Sequence, residues 1–558
     1  MSEPGIKKRR LQAAHRLRRI ILNTDAGSVH DGDPAHPERF LDRRVTGLHE
    51  THVDTISFCT DYGFNHYTHN SKVSQVVNYR SDFASPNPDD PGPDIIHGLI
   101  KKGTDTLEVA IRYCHGNGME IFWSMRMNDE HDAWIRPAIS QWKKDHPECL
   151  FGAEDKPPRH GVWTGVDYAQ AAVRDQAFAI LHDVCSRYDI DGIELDYFKD
   201  LTCFKSMAWG HSVSDEERDM MTDLLRRVRE MTDEIGRQRG RPLLIAARVP
   251  DSAGFGRAIG LDVQQWMQQD LIDIYIPTGY FRLQPWRRTL ELAGRYEVPV
   301  YPCMEQPRVC EWRRPDIKEP PKVRRLNEAF CADALNMWRA GADGIYMFNF
   351  HYYHPSHALW RLLGDPEMLD PVDKIYFVSV MGKGHNDLNH YLTSGDRFLH
   401  IPVLCPDHAQ EIYTDVPLAT TIAVGDDLQT AAAADMRPTV RVNVRVEPLS
   451  RSDELTVRLN GHPLARAALT WTSDTFRSML ADSRMNMTGA TDMVVEDTDG
   501  LWGQWCEYEV DPETVIAGSN RIDVTVAGDR LTPCMIHDVQ LRISYRLGNQ
   551  TTQTDQQE

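Results

Sequence analysis

The sequence predicts an α/β protein: a closed (β/α)8 barrel followed by an antiparallel β-sandwich. Three observations predict it. Apolar strand-like runs alternate with amphipathic helical stretches over roughly the first 365 residues. Those runs are mostly continuous rather than alternating, as parallel strands covered on both faces require. After about residue 370, short strands separated by turn residues take over, which is the pattern of a sandwich.

Eight strand candidates occur in order. They are RRIILNTD (18–25), VDTISFCT (53–60), MEIFWSMRMN (119–128), IDGIELDYF (190–198), PLLIAARVP (242–250), IDIYIPTGYF (272–281), VPVYPCME (298–305) and DGIYMFNFH (343–351). The helices between them carry their own signals. Ala177, Ile180, Leu181 and Val184 recur at helical spacing. Ser214 and Glu217 form a capping-box pattern before DMMTDLLRRVREM. Gly116-Asn117-Gly118, Gly240 and Gly341 stand where helix stops are expected. No G-x-G-x-x-G follows the first strand and no P-loop is present, so an open nucleotide-binding sheet has no support. Segments 61–103 and 129–166 are longer than ordinary connections. Each follows a strand, so in a barrel each rises from the C-terminal face and is expected to wall a substrate cleft.

The sandwich strands are read as DKIYFVSV, RFLHIPVL, TVRVNVRVE, ELTVRLNG, CEYEVDP, RIDVTVAG and HDVQLRISY. The expected organisation is a solvated basic tail over 1–17, a barrel over 18–368, a jelly-roll-type sandwich over 369–547 and a disordered polar tail over 548–558. The 558 residues are 41% hydrophobic and 26% charged, an ordinary globular composition. With 62 basic and 82 acidic residues the net charge is −20, which argues against a nucleic-acid binder. No apolar run is long enough to cross a membrane. The N-terminus has basic residues but no apolar h-region, so a cytoplasmic location is expected. Eleven cysteines without a CxxC pair read as reduced, buried thiols.

The chemistry collects at strand ends. In IDGIELDYF, Gly192, Glu194 and Asp196 share one face, and Ile193, Leu195 and Tyr197 the other. An apolar outer face suits packing under helices, so two carboxylates point inward toward the C-terminal mouth. Buried carboxylates are costly unless paired, hydrogen-bonded or used. Asp25, Arg126, Asn128, Arg248, Tyr280, Asn349 and His351 end other strands and are substrate-binding candidates. Asp129, His131, Asp132 and Asp251 follow close behind. Asp196 and Glu305, across the mouth from each other, are the expected catalytic pair, with Glu194 as substitute or modulator. Glycoside cleavage commonly needs two such carboxyl groups. Retention with Glu305 as nucleophile and Asp196 as acid/base is the favoured arrangement, and the reverse stays open. Plainer readings compete. Asp196 can cap the next helix, and Glu305 can pair with Arg248 or Arg282. Arg126 and Arg248 either hold an anionic sugar or pair with barrel carboxylates. His351 and His354 lack a third ligand at a recognisable spacing, so no metal is expected. Trp123 reads as core, whereas Tyr280, Phe281, Tyr352 and Tyr353 are candidates to stack on sugar rings.

With DGIELDYF on the fourth strand, MEIFWSMRMNDEHD on the third and strand-rich ELTVRLNGHPL near the end, the chain resembles glycoside hydrolases. It is most similar to the glycosyl-hydrolase-like TIM-barrel proteins of environmental bacteria, the family 10-like group. The resemblance covers roughly residues 18–365 as a barrel type and implies a hydrolase. The fourth strand also resembles the chitinase-type D-x-x-D-x-D-x-E pattern, as Asp191-x-x-Glu194-x-Asp196-x-Phe198, with Phe198 where that family has its acid. An arrangement like that of α-fucosidases or amylases would make Asp196 the nucleophile, with Asp251 or Glu305 as acid. The C-terminal strands resemble jelly-roll sugar-binding domains attached to glycosidases, either binding glycan or buttressing the barrel.

The expected function is therefore hydrolysis of a glycosidic bond in an oligo- or polysaccharide, with no cofactor. A homo-oligomer stays open. The alternatives are a non-catalytic glycan-binding barrel and a metal-dependent deacetylase or amidohydrolase.

Overall fold

The computed structural model describes residues 4–24, 29, 35–78, 95–304, 324, 326–348, 358–381, 392–404, 411–412, 417–433, 436–447, 454–466, 504–527 and 534–546. Seven parallel strands make the barrel wall: β1 (Ile20–Thr24), β2 (Val53–Cys59), β3 (Glu120–Arg126), β4 (Gly192–Asp196), β5 (Leu244–Pro250), β6 (Ile274–Thr278) and β7 (Ile345–Met347). They pair in the order β7-β1-β2-β3-β4-β5-β6. The sequence predicts a further strand over 298–305. Its described part, 298–304, makes only single bridges, Tyr275 with Val300 and Cys303 with Tyr346. Pro299 and Pro302 explain this: neither has an N–H to donate, so the ladder cannot be continuous. Their carbonyls accept instead, from Tyr275 N at 3.0 Å and Tyr346 N at 3.0 Å, and the segment fills the gap between β6 and β7.

Helices cover the outer face. Val173, Ala177, Ile180, Leu181 and Val184 of Ala171–Arg187 are buried, so the helical spacing read from the sequence is the packed stripe. Asp215–Arg239 begins with both bonds of the Ser214–Glu217 capping box and stops at Gly240, whose φ of 72° favours glycine. Gly192 is required for another reason. A Cβ there would come within 2.8 Å of Phe122 Cζ and 2.9 Å of the Leu244 carbonyl oxygen. The outward face of β4 packs as expected, with Tyr197 against Trp266 at 5.5 Å between ring centroids.

The basic N-terminal segment corrects its expectation of a solvated tail. Pro4–Ala14 is a helix, and Ile6, Arg10 and Ala14 are buried. Arg10 reaches Asp273 at 2.6 Å and Asp270 at 2.6 Å, so acids beneath the barrel hold its charge, while Lys7, Lys8 and Arg9 are exposed as expected.

The second region is an antiparallel β-sandwich. One sheet contains β8 (Lys374–Phe377), β10 (Arg437–Glu447), β12 (Gln504–Val510) and β14 (Cys534–Arg546). The other contains β9 (Leu418–Val424), β11 (Glu454–Leu459) and β13 (Gly518–Ala527). Val442, Val444, Leu541 and Ile543 from the first meet Val457, Ile522 and Val524 from the second in one core. Two readings change here. RFLHIPVL is a 3-10 turn at Gly395–Phe398 followed by irregular chain. LATTIAV, a strand, has an apolar signal diluted by alanine and threonine. The sandwich meets the barrel through polar contacts: Arg282 N donates to Ser379 Oγ at 3.0 Å, and Asn336 Nδ2 to the Ala423 carbonyl at 3.0 Å. Eight of the cysteines among the described residues are buried thiols in no disulfide.

Candidate active site

The register of β4 fixes what enters the barrel. Glu194 lies inside, where its carboxylate accepts from Ser57 Oγ at 2.6 Å, Ser124 Oγ at 2.7 Å and Asn23 Nδ2 at 3.2 Å. Its donors come from β1, β2 and β3, so it fastens neighbouring strands from within. Burial raises its pKa, the charge of Asp196 adds to the rise, and the serine hydroxyls oppose it.

Two residues on, Asp196 shares that inward face at the C-terminal end of the strand. Its Oδ1 accepts from Arg248 Nη1 at 2.7 Å, Phe198 N at 2.9 Å and Lys199 N at 3.1 Å. Its Oδ2 is buried and has no hydrogen-bond partner among the described residues. Arg248 is itself held by aromatic faces, 3.7 Å from the Phe348 ring centroid and 5.2 Å from that of Phe198. The ring of half-buried Tyr280 lies 5.4 Å from Phe198. The carboxylate is thus fixed in its plane, with one oxygen saturated and the other unengaged.

The end of β3 supplies a second charged cluster. Arg126 pairs in register with Asp196 and sends Nη1 to Asp129 Oδ2 at 3.0 Å. Asp129 also accepts from the His131 ring at 2.7 Å. Burial pushes the Asp129 pKa up, but His131 and Arg126 outweigh it and hold the carboxyl well below its usual range. Asp61, just beyond β2, accepts from the Arg126 backbone N–H at 2.5 Å through Oδ2. Its Oδ1 is buried without a partner among the described residues. Burial raises its pKa well above the carboxylate range; Arg126 opposes the rise, and Asp129 and Asp196 add to it.

Other sequence candidates separate from this group. The amide of Asn128 is spent on backbone, donating to the carbonyls of Val166 at 3.1 Å and Thr202 at 2.7 Å and accepting from Val166 N at 2.9 Å. Asp132 is paired with buried Lys143 at 2.7 Å. Asp251, after β5, accepts from Leu283 N at 3.0 Å, and its backbone carbonyl takes bonds from Gln284 and Thr289. Burial lifts its pKa to about 7. Trp123 is core, donating to Thr60 Oγ1 at 2.9 Å and packed on Tyr67. Asp25, Glu305, Asn349, His351, Tyr352, Tyr353 and His354 lie outside the described residues. Sequence reasoning passed over Asp61, although the rule that selected the other strand-end acids also fits CTDYGF.

No family model and no curated protein matches the chain. Solved structures that it resembles include an α-L-fucosidase isoenzyme 2 from Paenibacillus thiaminolyticus, at 14% identity and a TM-score of 0.38. That match covers 63% of this chain and 49% of the other, so the chain spans about half that protein's length. The PgaB (BpsB) glycoside hydrolase domain from Bordetella bronchiseptica matches at 11% identity and a TM-score of 0.40, covering 63% of this chain and 99% of the other. The catalytic domain of a psychrophilic chitinase B from Arthrobacter TAD20 matches at 10% identity and 0.37, covering 63% and 95%. Likeness at this level adds nothing to the barrel that strand pairing already defines.

Proposed function

We propose that the chain is a glycoside hydrolase that cleaves an oligo- or polysaccharide at the C-terminal mouth of its barrel. The observation that carries this reading is Asp196, held by Arg248 and two backbone N–H groups with a buried oxygen left unengaged. Such an oxygen is arranged to meet an electron-poor anomeric carbon, or the water that attacks it. Arg248 donates to the other oxygen, so this reading gives Asp196 the acceptor role, reversing the order favoured from sequence. Glu194 beneath it fixes the strand, Tyr280 offers a ring for stacking, and Glu305 is the sequence candidate for the second carboxyl group. Membership of the family 10-like group and a jelly-roll form for the sandwich belong to the same reading.

A glycan and aryl-glycoside panel tests it. The expected result is hydrolysis by the wild type and a loss of about 10²–10⁴-fold in Asp196→Asn. Equal hydrolysis by both proteins would sink the assignment. A second reading, a barrel that holds glycan without cleaving it, draws on buried Phe198, which stands where the chitinase-type pattern has its acid. It is favoured if the wild type binds glycans but cleaves none.

A further inference from the structure

We infer that Asp61 is the proton donor of this site, an inference that rests on the glycosidase reading above. Asp61 follows the barrel strand Val53–Cys59 at its C-terminal end, the end that carries Asp196. One carboxyl oxygen is tied to the backbone N–H of Arg126 at 2.5 Å. Arg126 is the register partner of Asp196. Adjacent strands lie about 4.8 Å apart. The next amide, Met127 N, donates to the Asp196 carbonyl, so the Arg126 N–H faces away from that strand and the Asp61 carboxyl group lies about 7 Å from it. That suits the separation of about 6.5–9.5 Å in an inverting pair better than the narrower gap of a retaining one.

The two carboxyl groups differ in the way the two roles demand. Asp196 has a guanidinium and two N–H groups on one oxygen. Asp61 has a single N–H bond on one oxygen and nothing on the other among the described residues. Burial opposes its ionisation, Arg126 only partly offsets burial, and the charges of Asp129 and Asp196 add to the rise. A carboxyl group in that setting is shifted toward its protonated form. Holding the Arg126 backbone does not explain this, because the Asn side-chain oxygen would accept the same bond without a buried ionisable group.

The step balances. The bond from anomeric carbon to glycosidic oxygen breaks with its electron pair on oxygen. That oxygen takes the Asp61 proton and leaves as an alcohol. Water attacks the anomeric carbon from the opposite face and gives a proton to Asp196 Oδ2. Asp196 then loses that proton to solvent and Asp61 regains one. Both groups return to their starting state, and the anomeric configuration of the sugar is inverted.

The test uses the full chain and aryl glycosides whose leaving groups range from phenol to dinitrophenol. Asp61→Asn should lose about 10²–10⁴-fold on phenyl glycosides. It should lose far less on dinitrophenyl glycosides, whose leaving group needs no proton. The alkaline fall of kcat/KM expected of the wild type should also vanish. Should Asp61→Asn fail to fold, Asp61→Ala replaces it on the same leaving-group series, and the expected product is a sugar of inverted configuration. Uniform loss across all leaving groups, or an unchanged alkaline limb, would overturn the donor role. So would leaving-group selectivity appearing in Glu305→Gln instead. In each of these cases hydrolysis by the wild type and its loss in Asp196→Asn would keep the glycosidase reading standing. No hydrolysis by the wild type would remove both.

Discussion

The two ends of the barrel handle buried charge in opposite ways. At the N-terminal end, carboxylates face guanidinium groups. Arg18 meets Glu120 through two nitrogens at 2.6 and 2.9 Å, and Thr55 adds a third bond to Glu120 at 2.8 Å. Asp273 is held by Arg10 at 2.6 Å and Arg229 at 2.7 Å. At the C-terminal end, acids are in excess, and Asp61, Glu130, Asp196 and Asp251 each keep a buried oxygen without a partner among the described residues. Compensated charge stabilises a fold or at least does it no harm, whereas an unengaged buried oxygen costs free energy that folding alone gives no reason to spend. In barrels of this type chemistry sits at the C-terminal face, and the N-terminal face serves stability. The contrast between the ends points the same way without any reference to another protein.

Breaking the lower end gives the largest stability effect. Arg18→Met strands Glu120 in the interior and should cost about 3–5 kcal/mol. Chemical denaturation should report that loss, while kcat/KM per folded molecule stays at the wild-type level. A large loss of activity among folded molecules would mean that the two ends are not separable.

Asp251 sharpens the comparison through pH. Its folded-state pKa of about 7 lies above the ordinary 3.8 because burial disfavours the charge. Folding therefore takes up a proton between those values, and the stability that this group contributes falls as pH rises through the same window. Asp251→Asn cannot ionise. Relative to the wild type it should gain up to about 4 kcal/mol between pH 4 and 7.5, read from denaturation curves at the two pH values. Parallel stability profiles would contradict the assigned burial.

Ser57→Ala probes the layer between the ends and should have the smallest effect. Removing the 2.6 Å donor to Glu194 should lower stability by about 2 kcal/mol. Because Glu194 would still accept from Ser124 and Asn23, the variant should fold and retain most of its activity. Loss of activity as large as in Asp196→Asn would make Glu194 a member of the reacting group rather than a fastening beneath it.

Much of this architecture was legible because barrel strands covered on both faces write themselves as apolar runs. The inward face of GIELD was legible for the same reason: its outward residues are all large and apolar. What stayed hidden depends on partners distant in the chain. Nothing local in PGIKKRRLQAA says that Arg10 meets Asp273, 263 residues on. The prolines in VPVYPC are visible in sequence, yet whether they merely thin a strand or abolish its ladder depends on the bridges on either side. Asn128 reads as a strand-end ligand, but its amide is committed to loops at Val166 and Thr202 that only the fold brings near. Asp61 was hidden differently. Its position could be read, but its isolation could not, because an unengaged oxygen is a property of everything around it.

The most direct measurement is the rate of glycoside hydrolysis by wild type and Asp196→Asn, each normalised to its folded fraction by calorimetry. The charge imbalance at the mouth predicts that folded Asp196→Asn hydrolyses about 10²–10⁴-fold more slowly than folded wild type. Equal rates per folded molecule would contradict it, and would make Asp196 and Arg248 another structural pair like those at the opposite end.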